Sequence, residues 1–346
     1  MKNRLLSLLL LAALLLTLAA PALADRQITV TFTGDVTLGC EERLRDKDYA
    51  FNGFARSEGF DWFFANVKHI FEADDLTVVN LEGVLSDSSS SENTGKTYRF
   101  RGRPSYADIL KNASIEAVNL ANNHTADYGS QGLKATRATL KGNGIGFFGN
   151  RYVYVHDFGG IRMGFLGVWQ SDYLDNREWF MKKIQALKAD GVNSIVFTFH
   201  CGTEYARRHG DSQANFASFA LQQGCDLVVM HHPHVLQGID VMGNRNVLWS
   251  LGNFCFGGNC EVRELYTAIA QVTFTFADDG TYKGQQLRLY PAHISGTYPN
   301  SNFQPKLVTG QDADYVMSLI QDDTNFRLNP YDSELGYAEQ DYLPAK

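Results

Sequence analysis

The chain has 346 residues, 44% hydrophobic and 20% charged, with a net charge of −7. This composition supports a buried core and excludes a disordered or collagen-like chain. The acidic balance argues against a nucleic-acid partner, which requires a basic face, and no 20–50-residue period marks a solenoid.

Residues 1–24 place Lys2 and Arg4 before an apolar run and end in Ala22-Leu23-Ala24. This is the pattern of a secretory signal, and it predicts export with cleavage after Ala24. A retained anchor is the alternative, but the run of about 16 residues is shorter than the ~20 of a spanning helix. Removing Lys2 and Arg4 from the 31 basic residues leaves 29 against 38 acids, a net charge of −9. A secreted or envelope-associated protein is expected.

Along the chain, Ile28, Val30 and Phe32 alternate with Thr29, Thr31 and Thr33, the period of a half-buried strand that stops at Gly34-Asp35. Residues 59–75 put Phe63, Val67, Ile70 and Phe71 at helical spacing. A strand over 76–83 ends in Glu82, and 86–97 is a Ser-rich polar loop. A short helix over 105–113, a strand over 115–124 that stops at His124, a helix over 129–144 and a short strand over 145–150 follow.

The second half repeats the theme. It reads as a hairpin over 152–169 through Gly159-Gly160 and an amphipathic helix over 179–191. A strand over 193–200 then ends in His200, and a helix covers 211–224. A strand over 225–232 runs into His231-His232-Pro233-His234. A strand over 246–254 and a hairpin over 265–294 through Asp279-Gly280 close the pattern. Residues 295–346 are polar and weakly patterned, and are expected to wrap the surface. The expected division is a signal (1–24), one domain (25–294) and a C-terminal surface extension (295–346).

Alternating apolar strands and helices predict an α/β fold with its sheet buried on both faces. Ligands in such folds bind beyond the carboxyl ends of the strands. Asp35, Glu82, Asn123, His124, His200, His232 and His234 all fall there. Singly, Asp35 reads equally well as a turn residue, Glu82 as a solvated loop acid and His200 as a core histidine. Pro233 favours an extended His232, so that His232 and His234, two apart, point the same way. Carboxylate, amide and imidazole donors together suit a divalent metal. The absence of a C-x-x-C pair argues against structural zinc, leaving a catalytic centre of one or two metals as the reading.

Three further features carry alternatives. Arg99, Arg101 and Arg103 alternate, so they either steer an anionic substrate from one strand face or form a solvated edge. Glu204 and Tyr205 either support the site or begin a loop. Cys40, Cys201, Cys225, Cys255 and Cys260 are too few for a disulfide scaffold; Cys255 and Cys260 either bridge or, like the others, stay free.

The segments "TGDVTLG", "NLEG", "NLANNHTADYGSQGL", "FHCGTEY", "HHPHVLQGID" and "SLGNFCFGGN", in this order over roughly 28–258, resemble the CapA-type poly-γ-glutamate capsule-synthesis family, a branch of the calcineurin-like metallophosphoesterases. The resemblance implies a four-layer α/β/β/α fold, a β-sandwich flanked by helices, with a dinuclear centre at the sheet ends. It implies Asp35, Glu82, Asn123, His200, His232 and His234 as metal ligands for manganese, iron or zinc. For a hydrolase, His124 with Asn123 is expected at the catalytic step, and Arg99, Arg101 and Glu204 are the candidates at the substrate. The family's D-x-H motif lacks its histidine after Asp35, Glu82 replaces an aspartate, Thr125 replaces an acid and His231 replaces a glycine. One metal, or a weakly held pair, follows from these departures.

Three functions compete. The first is an exported metal-dependent hydrolase acting on an anionic polymer or phosphoester. The second is an inert polymer-binding protein, and the third a partner of membrane-bound capsule-synthase components.

Overall fold

The computed structural model describes residues 25–345; the expected export signal, residues 1–24, lies outside them. In chain order the strands are β1 (Arg26–Thr37), β2 (Leu76–Leu81), β3 (Val84–Leu85), β4 (Arg101–Gly102), β5 (Ala117–Asn119), β6 (Gly146–Phe148), β7 (Tyr154–Asp157), β8 (Arg162–Trp169), β9 (Ser194–His200), β10 (Leu227–His231), β11 (Ile239–Val241), β12 (Asn246–Leu248), β13 (Asn253–Phe256), β14 (Tyr266–Phe276), β15 (Tyr282–His293), β16 (Lys306–Leu307), β17 (Ala338–Glu339) and β18 (Leu343–Pro344). The larger sheet runs β16-β15-β14-β1-β2-β5-β6, with β13 added to β1 and β17 and β18 to β15. The second runs β11-β12-β10-β9-β8-β7. β1, β2, β5 and β6 are parallel, and so are β8, β9, β10 and β12.

Strand alternation builds the layers. In β1, Ile28, Val30 and Phe32 face the second sheet, where Met163 and Phe165 of β8, Val196 of β9 and Leu227 and Val229 of β10 meet them in one core. The intervening residues face outward. Val79 and Leu81 of β2 pack on Phe63, Phe71, Ile109 and Leu140 from the helical segments. Ile195, Phe197 and Phe199 of β9 pack on Tyr173, Phe180 and Ile184 of helix Gln170–Ala189 and Phe219 of helix Asp211–Gln222. Three cores between four layers give the α/β/β/α sandwich. Phe197 is fully buried and stacks on Phe199 at 4.3 Å, so truncating it to Ala would cost about 3–5 kcal/mol.

The structure differs from the sequence reading in several places. Residues 59–75 hold only a turn at Phe60–Trp62 and a short helix at Lys68–Phe71, although Phe63, Val67, Ile70 and Phe71 are buried as expected. Apolar spacing fixed the buried face but not the continuity of helical hydrogen bonds. The helix expected at 179–191 starts earlier, at Gln170. The strand expected at 246–254 is two strands in different sheets: β12 pairs β10, whereas β13 pairs β1. The chain crosses between them at Gly252, whose φ of +75° suits glycine.

Residues 295–346 are more than a surface wrap. Helix Gly310–Gln321 buries Ala313, Val316, Met317, Leu319 and Ile320 in the inter-sheet core, and β16, β17 and β18 extend the sheet at β15. All five cysteines are free, with Cys260 half-buried and the rest buried. Among the described residues no helix is long and apolar enough to cross a membrane.

Candidate metal centre

The parallel strands of both sheets end on one side of the sandwich, and their last residues meet there. β1 aligns Asp35 with Asn80 of β2 and with Asn253 of β13. Gly34 permits this approach, since a Cβ there would lie 2.2 Å from the Gly252 carbonyl oxygen. In the second sheet His200 of β9 aligns with His231 of β10.

Asp35 is fully buried and fully partnered. Asn80 Nδ2 donates to its Oδ1 at 2.8 Å, His231 Nδ1 lies 3.2 Å from Oδ1, and His234 Nδ1 lies 3.2 Å from Oδ2. The His232 backbone N–H donates to Oδ2 at 3.3 Å. Burial raises the Asp35 pKa, but His231 and His234 outweigh it and hold the carboxyl well below its usual range.

Glu82 has the opposite character. Both its carboxylate oxygens are buried without a hydrogen-bond partner. His200 Nε2 approaches Oε1 to 3.1 Å, off the line of a hydrogen bond, and lies 2.8 Å from Asn123 Oδ1. Burial, then the charge of Asp35, pushes the Glu82 pKa well above normal. Burial keeps the His200 pKa well below its usual value, so its ring is neutral; Nδ1 accepts from Asn80 Nδ2 at 3.3 Å, and Nε2 faces the Asn123 amide oxygen.

The expectation of an extended His232 is corrected. His232 has φ +101° and His234 φ +58°, so the two converge through a left-handed turn after β10 rather than along a strand. Ligand atoms of Glu204, His232 and His234 lie within 4.8 Å of one another, as do those of Asp35, Glu82 and His200. Burial, then His234, lowers the His232 pKa, and its Nδ1 is buried without a partner. His234 is raised to about 9: burial opposes this, but Glu82 and Asp35 overcome it. Unpartnered buried oxygens on Glu82 and an unpartnered nitrogen on His232 are groups that cost stability unless a cation completes them. Mixed oxygen and imidazole donors fit a borderline divalent ion.

His124 stands beside this cluster. Its Nδ1 lies 2.7 Å from Asp127 Oδ2, and its ring lies 4.5 Å from that of Phe100. Asp127 is fully buried, accepts the Phe100 backbone N–H at 2.8 Å and pairs with Lys96. Lys96 also donates to the Asn123 carbonyl at 2.7 Å, so the polar loop is pinned to the site. Burial lowers the His124 pKa against the pull of Asp127.

A cavity of about 570 Å³ opens over these groups, lined by His124, His234, Glu204, Tyr205, Tyr98, Phe100 and Arg263 among others. Arg99 and Arg101 do not line it, which corrects their expected place at the substrate. Alternation turns Tyr98 and Phe100 to the cavity instead. Arg101 is buried and spent on Glu42 at 2.6 Å and on the Ser86 and Asp87 carbonyls, and Arg99 on Glu92 at 2.9 Å. The arginine at the cavity is Arg263, held 3.8 Å over the Tyr205 ring. No sequence period pointed to it. Asn80, His231, Asp127 and Asn253 were likewise missed; only their adjacency to motif residues hinted at a role.

Residues 29–258 match the family model described as bacterial capsule synthesis protein PGA_cap. The chain belongs to this family. It is 27% identical over 257 residues to the capsule biosynthesis protein CapA of Bacillus anthracis, covering 67% of this chain and 60% of that protein. It is 26% identical over 254 residues to the PGA biosynthesis protein CapA of Bacillus subtilis (strain 168), covering 67% and 64%. The chain thus spans under two thirds of the length of these relatives. Purple acid phosphatase PPD1 from yellow lupin (Lupinus luteus) seeds overlaps 88% of this chain and 57% of its own at 11% identity and TM-score 0.37, too loosely to bear on mechanism.

Proposed function

We propose that the chain acts in capsule or cell-envelope polymer biosynthesis as an exported, metal-dependent hydrolase of an anionic polymer or phosphoester. The observation that carries this reading is the Glu82 carboxylate, buried and unpartnered against a neutral His200. The names of the Bacillus relatives supply the capsule setting. Asp35, Glu82, Asn123 and His200 would hold one ion, and Glu204, His232 and His234 a second. A bound divalent ion supplies Lewis acidity and lowers the pKa of water.

The chain's own groups do the rest. Asp127 holds His124 Nδ1, leaving Nε2 for proton transfer to a leaving oxygen. Arg263, braced on Tyr205, offers a guanidinium to the substrate's negative charge. Phe100 packs on the His124 ring and limits water around it.

Elemental analysis of the purified protein, with hydrolysis of bis(4-nitrophenyl) phosphate before and after chelation, tests the reading. Bound metal and chelator-sensitive hydrolysis, both lost in His200→Ala, are expected. A second reading, an inert polymer-binding protein, draws on Asp35, whose two oxygens accept from the Asn80 amide and the His232 backbone N–H without any ion. Polymer binding that survives chelation and His232→Ala, without hydrolysis, would establish it instead.

A further inference from the structure

Beside the metal-centre cavity lies a second, larger one of about 830 Å³, and Glu261 lines both. The loop between them works on two sides: Gly258, Asn259, Val262 and Arg263 line the first cavity, and Cys260 the second. We propose that this second groove binds an uncharged saccharide chain, the sugar part of the substrate whose anionic group enters the metal-centre cavity. Its link to catalysis rests on the function proposed above; the binding itself does not.

Three aromatic side chains, Tyr49, Phe54 and Trp62, line the groove. Tyr49 is 59% exposed, so its ring face is open to a ligand in the groove. Trp62 is fixed by a 2.9 Å hydrogen bond from Nε1 to the Asn302 carbonyl, and its ring sits 6.3 Å from that of Phe54. Aromatic faces are electronegative and attract the electropositive C–H face of a pyranose ring. Asn300 and Asn302 line the same groove; the Asn302 side-chain oxygen accepts from Ser295 and Gly296, and neither side-chain N–H group has a hydrogen-bond partner among the described residues. Flat apolar faces interleaved with free amide donors match the alternation of C–H faces and hydroxyl edges along a glycan.

Charge disfavours the other polymer. No Lys, Arg or His lines the groove, whereas Asp48 and Glu261 do. Asp48 is paired with Arg56 at 3.2 Å, and Glu261 has no ion-pair partner among the described residues. A polyglutamate strand would meet repulsion there, while an uncharged chain would not. The cation it would need, Arg263, lies on the other side of the loop.

Calorimetric titration of the metal-free protein with cellotetraose, N-acetylglucosamine tetramer and oligo-γ-glutamate tests this. Binding of at least one saccharide is expected, weakened about tenfold or more by Tyr49→Ala with an unchanged melting temperature. A bound saccharide should also slow alkylation of Cys260 by iodoacetamide, the other four thiols being buried. Failure of both saccharides to bind, tighter binding of oligo-γ-glutamate, or a self-association abolished by Tyr49→Ala would overturn the proposal. Chelator-sensitive phosphodiester hydrolysis without saccharide binding would sink this inference and leave the metal-centre reading standing. Saccharide binding without hydrolysis would do the reverse.

Discussion

The two donor sets at the sheet ends have similar chemistry and unlike surroundings. Asp35, Glu82 and His200 are wholly buried on strand ends, whereas the second set joins buried His232 and His234 to exposed Glu204 on a loop. Strand ends anchored in two sheets cannot move independently of the cores behind them. The first set is therefore preorganised, and its desolvated charges are costly without an ion. In the second set only Glu204 sits on the exposed loop after β9, whereas His232 and His234 are buried in the turn after β10.

The largest effect should come from the buried set. Glu82→Gln is expected to lower hydrolysis by roughly 10²–10³-fold and to remove metal detectable by elemental analysis. It should also change stability without metal. The folded Glu82 pKa is raised, so its contribution is present at acid pH and is lost as pH rises through that value. Metal-free wild type should melt lower towards alkaline pH, and Glu82→Gln should flatten that fall. An unchanged metal content in this variant would erase the distinction between the sets.

At the exposed set, Glu204→Ala should weaken metal affinity about 10–100-fold, with stability unchanged to about ±0.5 kcal/mol. Metal titration followed by calorimetry reads both. Unfolding of this variant would show that the loop is as structural as the strands.

Arg263→Ala should raise KM for an anionic substrate about tenfold with little change in kcat, as removal of uniform binding does. A fall in kcat alone would place the guanidinium at the reacting atoms instead.

The smallest effect concerns the loop's tether. His209 Nδ1 pairs with Asp323 at 3.0 Å, beyond the end of helix Gly310–Gln321, and its ring stacks on Trp249 at 4.1 Å. The Asp323 hydrogen bond raises the His209 pKa despite burial. This stabilisation is full below the unfolded pKa near 6.5 and is lost as pH rises through the folded value. Melting curves of wild type and His209→Gln should differ at acid pH and converge at alkaline pH.

Much of the fold was legible because period-two alternation is a local signal. Ile28, Val30 and Phe32 revealed their buried face unaided, and the strand-end positions of Asp35, Glu82 and His200 followed from where the apolar runs stopped. Arg99 and Arg101 misled for the same reason. Alternation correctly put them on one face, but which face met the cavity depended on Tyr98 and Phe100 packing elsewhere in the fold. Helix Gly310–Gln321 escaped notice because its apolar residues lie among polar ones, and its burial depends on a surface supplied by β14 and β15.

The order of motifs, the acidic balance and the chemical types of the donors were determined by the sequence alone, since each is a property of neighbouring residues. Only the tertiary structure decided that Asp35 is satisfied while Glu82 is not, that Arg263 is the arginine at the cavity, and that a groove free of basic side chains adjoins it. Desolvation and charge pairing depend on residues distant in the chain, and the packing of the two sheets alone brings them within a few ångströms.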